Sequence, residues 1–162
     1  MTPSPSSASL PVIDMAGLRG TDPAQRLAVA RQLRAACEHR GFFYIRNHGV
    51  PRELVARMFA ATEAFFDQPV AAKLGVDKAL SPCNRGYEPL RAQTLEAGAP
   101  PDLKESFYIG QEVAANDPRV LAGRFNTGPN QWPRELPGFR PVMEAYFDAA
   151  YALAATVVRG LA

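Results

Sequence analysis

Histidine, cysteine and tryptophan are scarce in this sequence, with two, two and one among 162 residues. Two cysteines, Cys37 and Cys83, do not make a disulfide framework. Cys37 falls on the apolar side of a predicted helix, which reads as a buried free thiol. Two histidines, His39 and His48, with no placed carboxylate are a thin basis for a metal site, and none is expected in this chain. His39 stands near a helix C-terminus, where an imidazolium suits the dipole. His48 stands in a turn, where its ring can bond nearby backbone. An excess of one charge is also lacking. Eighteen basic and 16 acidic residues leave a net charge of +2, too little to argue for nucleic acid, and no run of like charges forms a tail. No apolar run approaches the ~20 residues of a membrane span. The opening residues MTPSPSSASL have neither a basic n-region nor an apolar h-region. They do not read as a secretory signal, and a cytoplasmic protein is expected. There is no nucleophile beside a base, no phosphate-cradling glycine loop and no internal repeat.

What is present is ordinary for a soluble globular chain: 47% hydrophobic and 21% charged residues, in a length that allows one domain or a large part of one. Residues 1–9 are mostly proline, serine and threonine and are expected to be disordered. Residues 10–14 read as a strand. Thr21 and Asp22 before Pro23 form a helix start, and Val29, Leu33, Ala36 and Cys37 then recur at helical spacing, predicting an amphipathic helix over 23–40. Gly41 stops it. Phe42, Phe43, Tyr44 and Ile45 predict a short strand buried on both faces, followed by turn chemistry at Asn47, His48 and Gly49. A second helix is predicted over 51–66, with Leu54, Met58, Ala61 and Phe65 on one face. Residues 68–77 read as a short helix or turn, and 79–102 as a long, mostly extended loop. Residues 105–109 predict a strand with Phe107 and Ile109 on one side and Ser106 and Tyr108 on the other, its start, Lys104 and Glu105, solvated. Residues 110–137 read as loop, anchored by the buried ring of Trp132. A helical stripe at Phe139, Val142, Met143, Tyr146, Ala150, Leu153, Val157 and Leu161 is still running at the last residues, so the chain reads as cut off inside a helix.

Residues 41–50, GFFYIRNHGV, resemble the "GFF-x-(I/V)-x-NHG(I/V)" strand and turn of the isopenicillin N synthase-like non-haem iron, 2-oxoglutarate-dependent oxygenases. The resemblance continues through LPVID at 10–14, NRGY at 84–87, KESFYI at 104–109, NQWP at 130–133 and PGFR at 137–140. Each motif is weak alone; their order and spacing together are specific. The resemblance implies an α+β fold whose helices and strands flank a double-stranded β-helix (jelly roll), most of which is missing from this chain. The implied organisation is a disordered 1–9, a non-haem dioxygenase N-terminal domain at 10–137, and a long helix at 138–162 leading toward an absent catalytic jelly roll.

The same resemblance implies an iron held by two histidines and a carboxylate, with open positions for 2-oxoglutarate and oxygen. The family's His-x-Asp and Arg-x-Ser do not occur in this sequence. Fe(II) and 2-oxoglutarate are therefore expected only in a full-length parent that also supplies a C-terminal catalytic half. This chain is read as the N-terminal portion of an oxygenase that hydroxylates, desaturates or closes rings on a small molecule, with no turnover of its own. The alternative is a non-catalytic binding or interaction module derived from that family. Substrate-side residues implied by the resemblance are Asn84, Arg85, Tyr87, Glu88 and Tyr108. Isopenicillin N synthase has Arg-Asn-Gly-Tyr-Tyr at the first of these segments, so Asn84 and Glu88 depart from it and the same substrate class is not implied. Arg85 has the forked donors to grip a carboxylate. Equally, Asn84 and Gly86 can shape a turn while Arg85 and Tyr87 pack it, and Tyr108 can be an ordinary strand aromatic with its hydroxyl satisfied.

Overall fold

Asp22 accepts a hydrogen bond from the Ala24 N–H at 2.9 Å, and Pro23 takes the first helical position. That cap starts the helix the spacing predicts. In a computed structural model describing residues 9–94, 96 and 98–162, the chain divides into two compact units. The expected disorder at 1–9 falls almost wholly outside the described residues.

The first unit comprises the described residues up to Pro51 with Asp148–Ala162. It contains β1 (Val12–Asp14), α1 (Ala16–Arg19), α2 (Pro23–His39) and β2 (Tyr44–Arg46). β1 and β2 are parallel, with Ile13 opposite Ile45, and a parallel pair needs a crossover such as α2 to join it. Ile13, Met15, Val29, Leu33 and Ala36 form its core, with Leu18, Phe43, Ile45 and Val157 packed against them. Asp14 ties the strand ends: its carboxylate accepts from Ala16 N at 3.0 Å, from Asn47 Nδ2 at 2.7 Å and from Arg46 Nε at 3.2 Å. The backbone N–H of Ala16, then these side chains, hold it below the usual carboxylate range. Asn47 and Gly49 both take positive φ in the turn that follows, and His48 Nδ1 accepts from Val50 N at 3.2 Å.

Two expectations fail here for one reason. The predicted strand is buried on one face only: Phe42 is 72% and Tyr44 63% exposed, while Phe43 and Ile45 meet the core. Cys37 is exposed rather than buried. The stripe that α2 buries is Val29, Leu33 and Ala36; Cys37, one residue on, is turned about 100° from Ala36 and leaves the covered face.

The second unit is Arg52–Phe147. It holds α3 (Arg52–Phe66), α4 (Val70–Lys73), 3₁₀ turns at Leu74–Val76 and Lys78–Leu80, β3 (Gly86–Glu88), β4 (Ser106–Tyr108) and α5 (Pro118–Leu121). The last helix, α6 (Phe139–Leu161), is divided between the units after residue 147. β3 and β4 are antiparallel, with Tyr87 opposite Phe107. β3 lies inside the stretch read as loop, and α5 inside the second such stretch. Both are too short to leave a periodic signal.

The core of this unit is aromatic. Phe65, Val76, Tyr87, Phe139 and Met143 are buried, with Met58, Ala61, Phe107 and Trp132 packed on them. Ring centroids lie 4.7 Å apart for Phe65–Phe107, 5.3 Å for Phe65–Phe139 and 5.1 Å for Phe107–Phe139, within the range in which tilted and edge-on aromatic pairs attract. Phe65→Ala is expected to lower unfolding free energy by about 3–5 kcal/mol, measured by urea denaturation; a loss under about 1 kcal/mol contradicts the central place given to this ring.

Candidate functional site

Strand alternation sorts the residues around β3 and β4 onto two faces. Tyr87 and Phe107 oppose each other on one. Glu88 and Tyr108 share the other, as diagonal neighbours. Each face carries a lysine, a glutamate and a tyrosine.

On the core face, Lys73 is only 4% exposed. Its Nζ donates to Glu105 Oε2 at 2.7 Å and to the Phe66 carbonyl at 3.0 Å, and lies 5.3 Å from the centre of the Tyr87 ring. Glu105 Oε2 also accepts from the Tyr87 hydroxyl at 2.6 Å. Hydrogen bonds from Lys73, then Tyr87, hold the Glu105 carboxyl below its usual range. Burial, then the Glu105 carboxylate, push the Tyr87 hydroxyl up to about 12. Glu105 is thus no solvated strand start: it is the counter-ion of a buried cation.

On the other face, Glu88 is 8% exposed and pairs with Lys78. Its second oxygen accepts from the Tyr108 hydroxyl at 2.9 Å, and Lys78 Nζ lies 4.8 Å from the Tyr108 ring centre. The Lys78 hydrogen bond, then that of Tyr108, hold Glu88 below the usual carboxylate range. It is an ionised acceptor at neutral pH, with its partners already oriented.

The remaining predicted residues sit at the entrance to β3. Asn84 has φ +57° and donates from Nδ2 to Asn126 Oδ1 at 2.6 Å. Arg85 donates to the carbonyls of Cys83 at 2.8 Å and Asn126 at 2.7 Å. Glu88 and Tyr108 are brought together, as are Asn84 and Arg85 through Asn126. Tyr87 is 1% exposed and faces the aromatic core with Lys73 and Glu105.

Sequence reasoning missed Lys73, Lys78 and the roles of Asn130 and Gln131. Asn130 binds both backbone groups of Gly110, at 2.9 Å each. Gln131 Nε2 donates to the carbonyls of Asp77 at 2.8 Å and Arg85 at 2.7 Å. The NQWP motif is therefore a staple across the ends of β3 and β4, and the motif itself was the available signal. Gly86, at φ +104°, lies where a Cβ would collide with the Val76 carbonyl, so only glycine fits.

Iron of the implied kind does not fit these residues. Among the described residues, no group of three or more His, Cys, Asp or Glu side chains is placed to hold a metal ion. His39 is exposed on α2, and His48 is occupied with the Val50 N–H.

Comparison with known proteins bears on the same region. Residues 10–135 match the family model described as the N-terminal part of the non-haem dioxygenase in morphine synthesis. The chain belongs to this non-haem dioxygenase N-terminal family. It is 44% identical over 155 residues to the 2-oxoglutarate-Fe(II) type oxidoreductase hxnY of Emericella nidulans, covering 94% of this chain and 44% of that protein. It is 42% identical over 157 residues to the 2-oxoglutarate-dependent dioxygenase tropC of Talaromyces stipitatus, covering 93% and 47%. Among solved structures, a full-length Neurospora crassa protein crystallised in complex with alpha-KG superposes with a TM-score of 0.74 at 28% identity, over 94% of this chain and 46% of that one. A Caulobacter crescentus 2OG-Fe(II) oxygenase family protein superposes at 0.76 and 20% identity, a likeness of fold. This non-haem dioxygenase N-terminal chain spans about half the length of the curated relatives it matches. No helix among its described residues is long and apolar enough to cross a membrane.

The two glutamates predict an acid limb in stability. A depressed carboxylate stabilises the fold above its unfolded pKa, and that contribution is lost as pH falls through the lower folded value. For Glu88 and Glu105 the loss begins below the ordinary value of 4.5. Tyr87 has the opposite sign: its contribution is complete below 10 and disappears as pH rises through about 12. Urea midpoints measured against pH should be flat near neutrality and fall at both ends. Glu105→Gln should lower stability at pH 7 by about 3 kcal/mol, because Lys73 is left unpaired, and should flatten the acid limb; an unchanged acid limb contradicts the assignment.

Proposed function

We propose that this chain is the N-terminal portion of a non-haem iron, 2-oxoglutarate-dependent oxygenase acting on a small organic molecule in the cytoplasm. The observation that carries the reading is the alignment of nearly all of this chain with under half of relatives named for 2-oxoglutarate and Fe(II). In the parent, a C-terminal half holds the iron and 2-oxoglutarate and completes the jelly roll that β3 and β4 flank. Held by that half, the iron would supply oxidation by dioxygen, in which 2-oxoglutarate would lose carbon dioxide to become succinate while the substrate is oxidised. This chain supplies a preformed polar surface. Glu88, ionised and aligned by Lys78 and Tyr108, accepts hydrogen bonds from the substrate, with the Tyr108 ring alongside. Tyr87 holds that strand in place from the core side, and Asn84 and Arg85 border the entrance to it.

Two measurements test this. The purified 162-residue chain should release no succinate from 2-oxoglutarate with Fe(II), whereas a parent extended past Ala162 should. Succinate release by the short chain overturns the reading, and an extended parent with no turnover leaves a binding module instead. In an active parent, Glu88→Gln should lower kcat/KM for the organic substrate about tenfold, equivalent to about 1.4 kcal/mol, with the KM for 2-oxoglutarate unchanged.

A further inference from the structure

We propose that the cavity beside Arg85 is a binding site for a small oxyanion, a carboxylate or phosphoryl group carried by a small molecule. The cavity measures about 230 Å³ and is lined by Arg85, Arg119, Arg124, Phe125, Asn126 and Thr127, with Gln111 and Val113. It has room for a group of carboxylate or phosphate size.

Three arginines line one small space, and their charges are unevenly matched. Arg119 is chelated by Asp117, Nε to Oδ1 at 2.9 Å and Nη2 to Oδ2 at 3.0 Å. Arg85 meets only carbonyl oxygens, those of Cys83 and Asn126. Its Nε is buried and has no hydrogen-bond partner, an orphaned donor of the kind that a native structure normally satisfies. The guanidinium lies against Gly110, where a Cβ would collide with it, so the glycine leaves the space it occupies. The Arg124 side chain makes no hydrogen bond or ion pair with any described residue. Glu112, the neighbour of Gln111 in the lining, accepts from Asn130 and Trp132 instead. Two positive charges are therefore left without a carboxylate around a shared cavity. An anion in the cavity would meet both, and the planar forks of arginine match carboxylate and phosphate oxygens. Phe125, at the rim, is largely exposed and offers apolar surface to the remainder of an organic anion. The inference does not depend on the oxygenase reading.

The test is calorimetric titration of the 162-residue chain at fixed ionic strength with two probes, inorganic phosphate and benzoate. Saturable binding with a Kd of about 1 mM or tighter is expected for at least one. Binding of phosphate alone assigns a phosphoryl group, and of benzoate alone an organic carboxylate. Arg124→Gln, at an exposed position, should weaken binding about tenfold, and Gly110→Ala should abolish it by displacing Arg85. Arg31→Gln, an exposed arginine on α2, is the control for general charge and should leave the Kd unchanged. No saturable heat with either probe, or equal losses in Arg124→Gln and Arg31→Gln, overturns the proposal. Either result leaves the succinate experiment untouched.

Discussion

The buried ammonium of Lys73 is the constraint on which the second unit depends. A lysine cation out of water is tolerated only when its three donors are used. Here Nζ donates to Glu105 and to the last carbonyl of α3 and lies over the ring of Tyr87. A single side chain thereby caps a helix, anchors the residue preceding β4, and sits against the central aromatic residue of β3. The Phe66 carbonyl is one of the groups that a helix C-terminus leaves unsatisfied, and a cation there also suits the dipole. The aromatic core packs around this ion pair.

From that arrangement the outward face follows. β3 and β4 contribute three residues each, too few to hold register by ladder hydrogen bonds alone. Their register is set by Tyr87 against Phe107 on the core side and by the Asn130 and Gln131 staples at the ends. With the core side fixed, the pleat leaves Glu88 and Tyr108 on the opposite face, where Lys78 aligns them. A polar cluster whose members already hold one another needs little reorganisation when a ligand arrives. The Tyr87 hydroxyl, by contrast, is engaged beneath the sheet.

The long helices were legible because a stripe is a local pattern. Leu54, Met58, Ala61 and Phe65 announce α3, and Phe139 onward announces α6, without reference to anything distant. The cap at Asp22 and the turn at Asn47–Gly49 were legible for the same reason. β3 was not: it lies between Pro82 and Pro89, contains a glycine and becomes a strand only through pairing with residues about twenty positions later. Lys73 and Glu105 are 32 residues apart, so neither shows its role in its own neighbourhood. Cys37 and the outer face of β2 were misread because apolar spacing shows which residues can be buried, and a two-stranded sheet covered on one side buries only half of them. The motifs of the resemblance were informative where spacing was silent. NRGY and NQWP marked the two segments that meet at Gln131 and Arg85.

The central claim is that Lys73 and Glu105 act as one unit beneath β3. A double-mutant cycle tests it most directly, with unfolding free energies of Lys73→Met, Glu105→Met and the pair. If each charge exists to neutralise the other, either single change leaves a charge partly buried and unpaired, and the double variant is less destabilised than the sum of the two by about 1–3 kcal/mol. Additive losses within about 0.5 kcal/mol would contradict the claim and reduce Lys73 to an independent cap on α3.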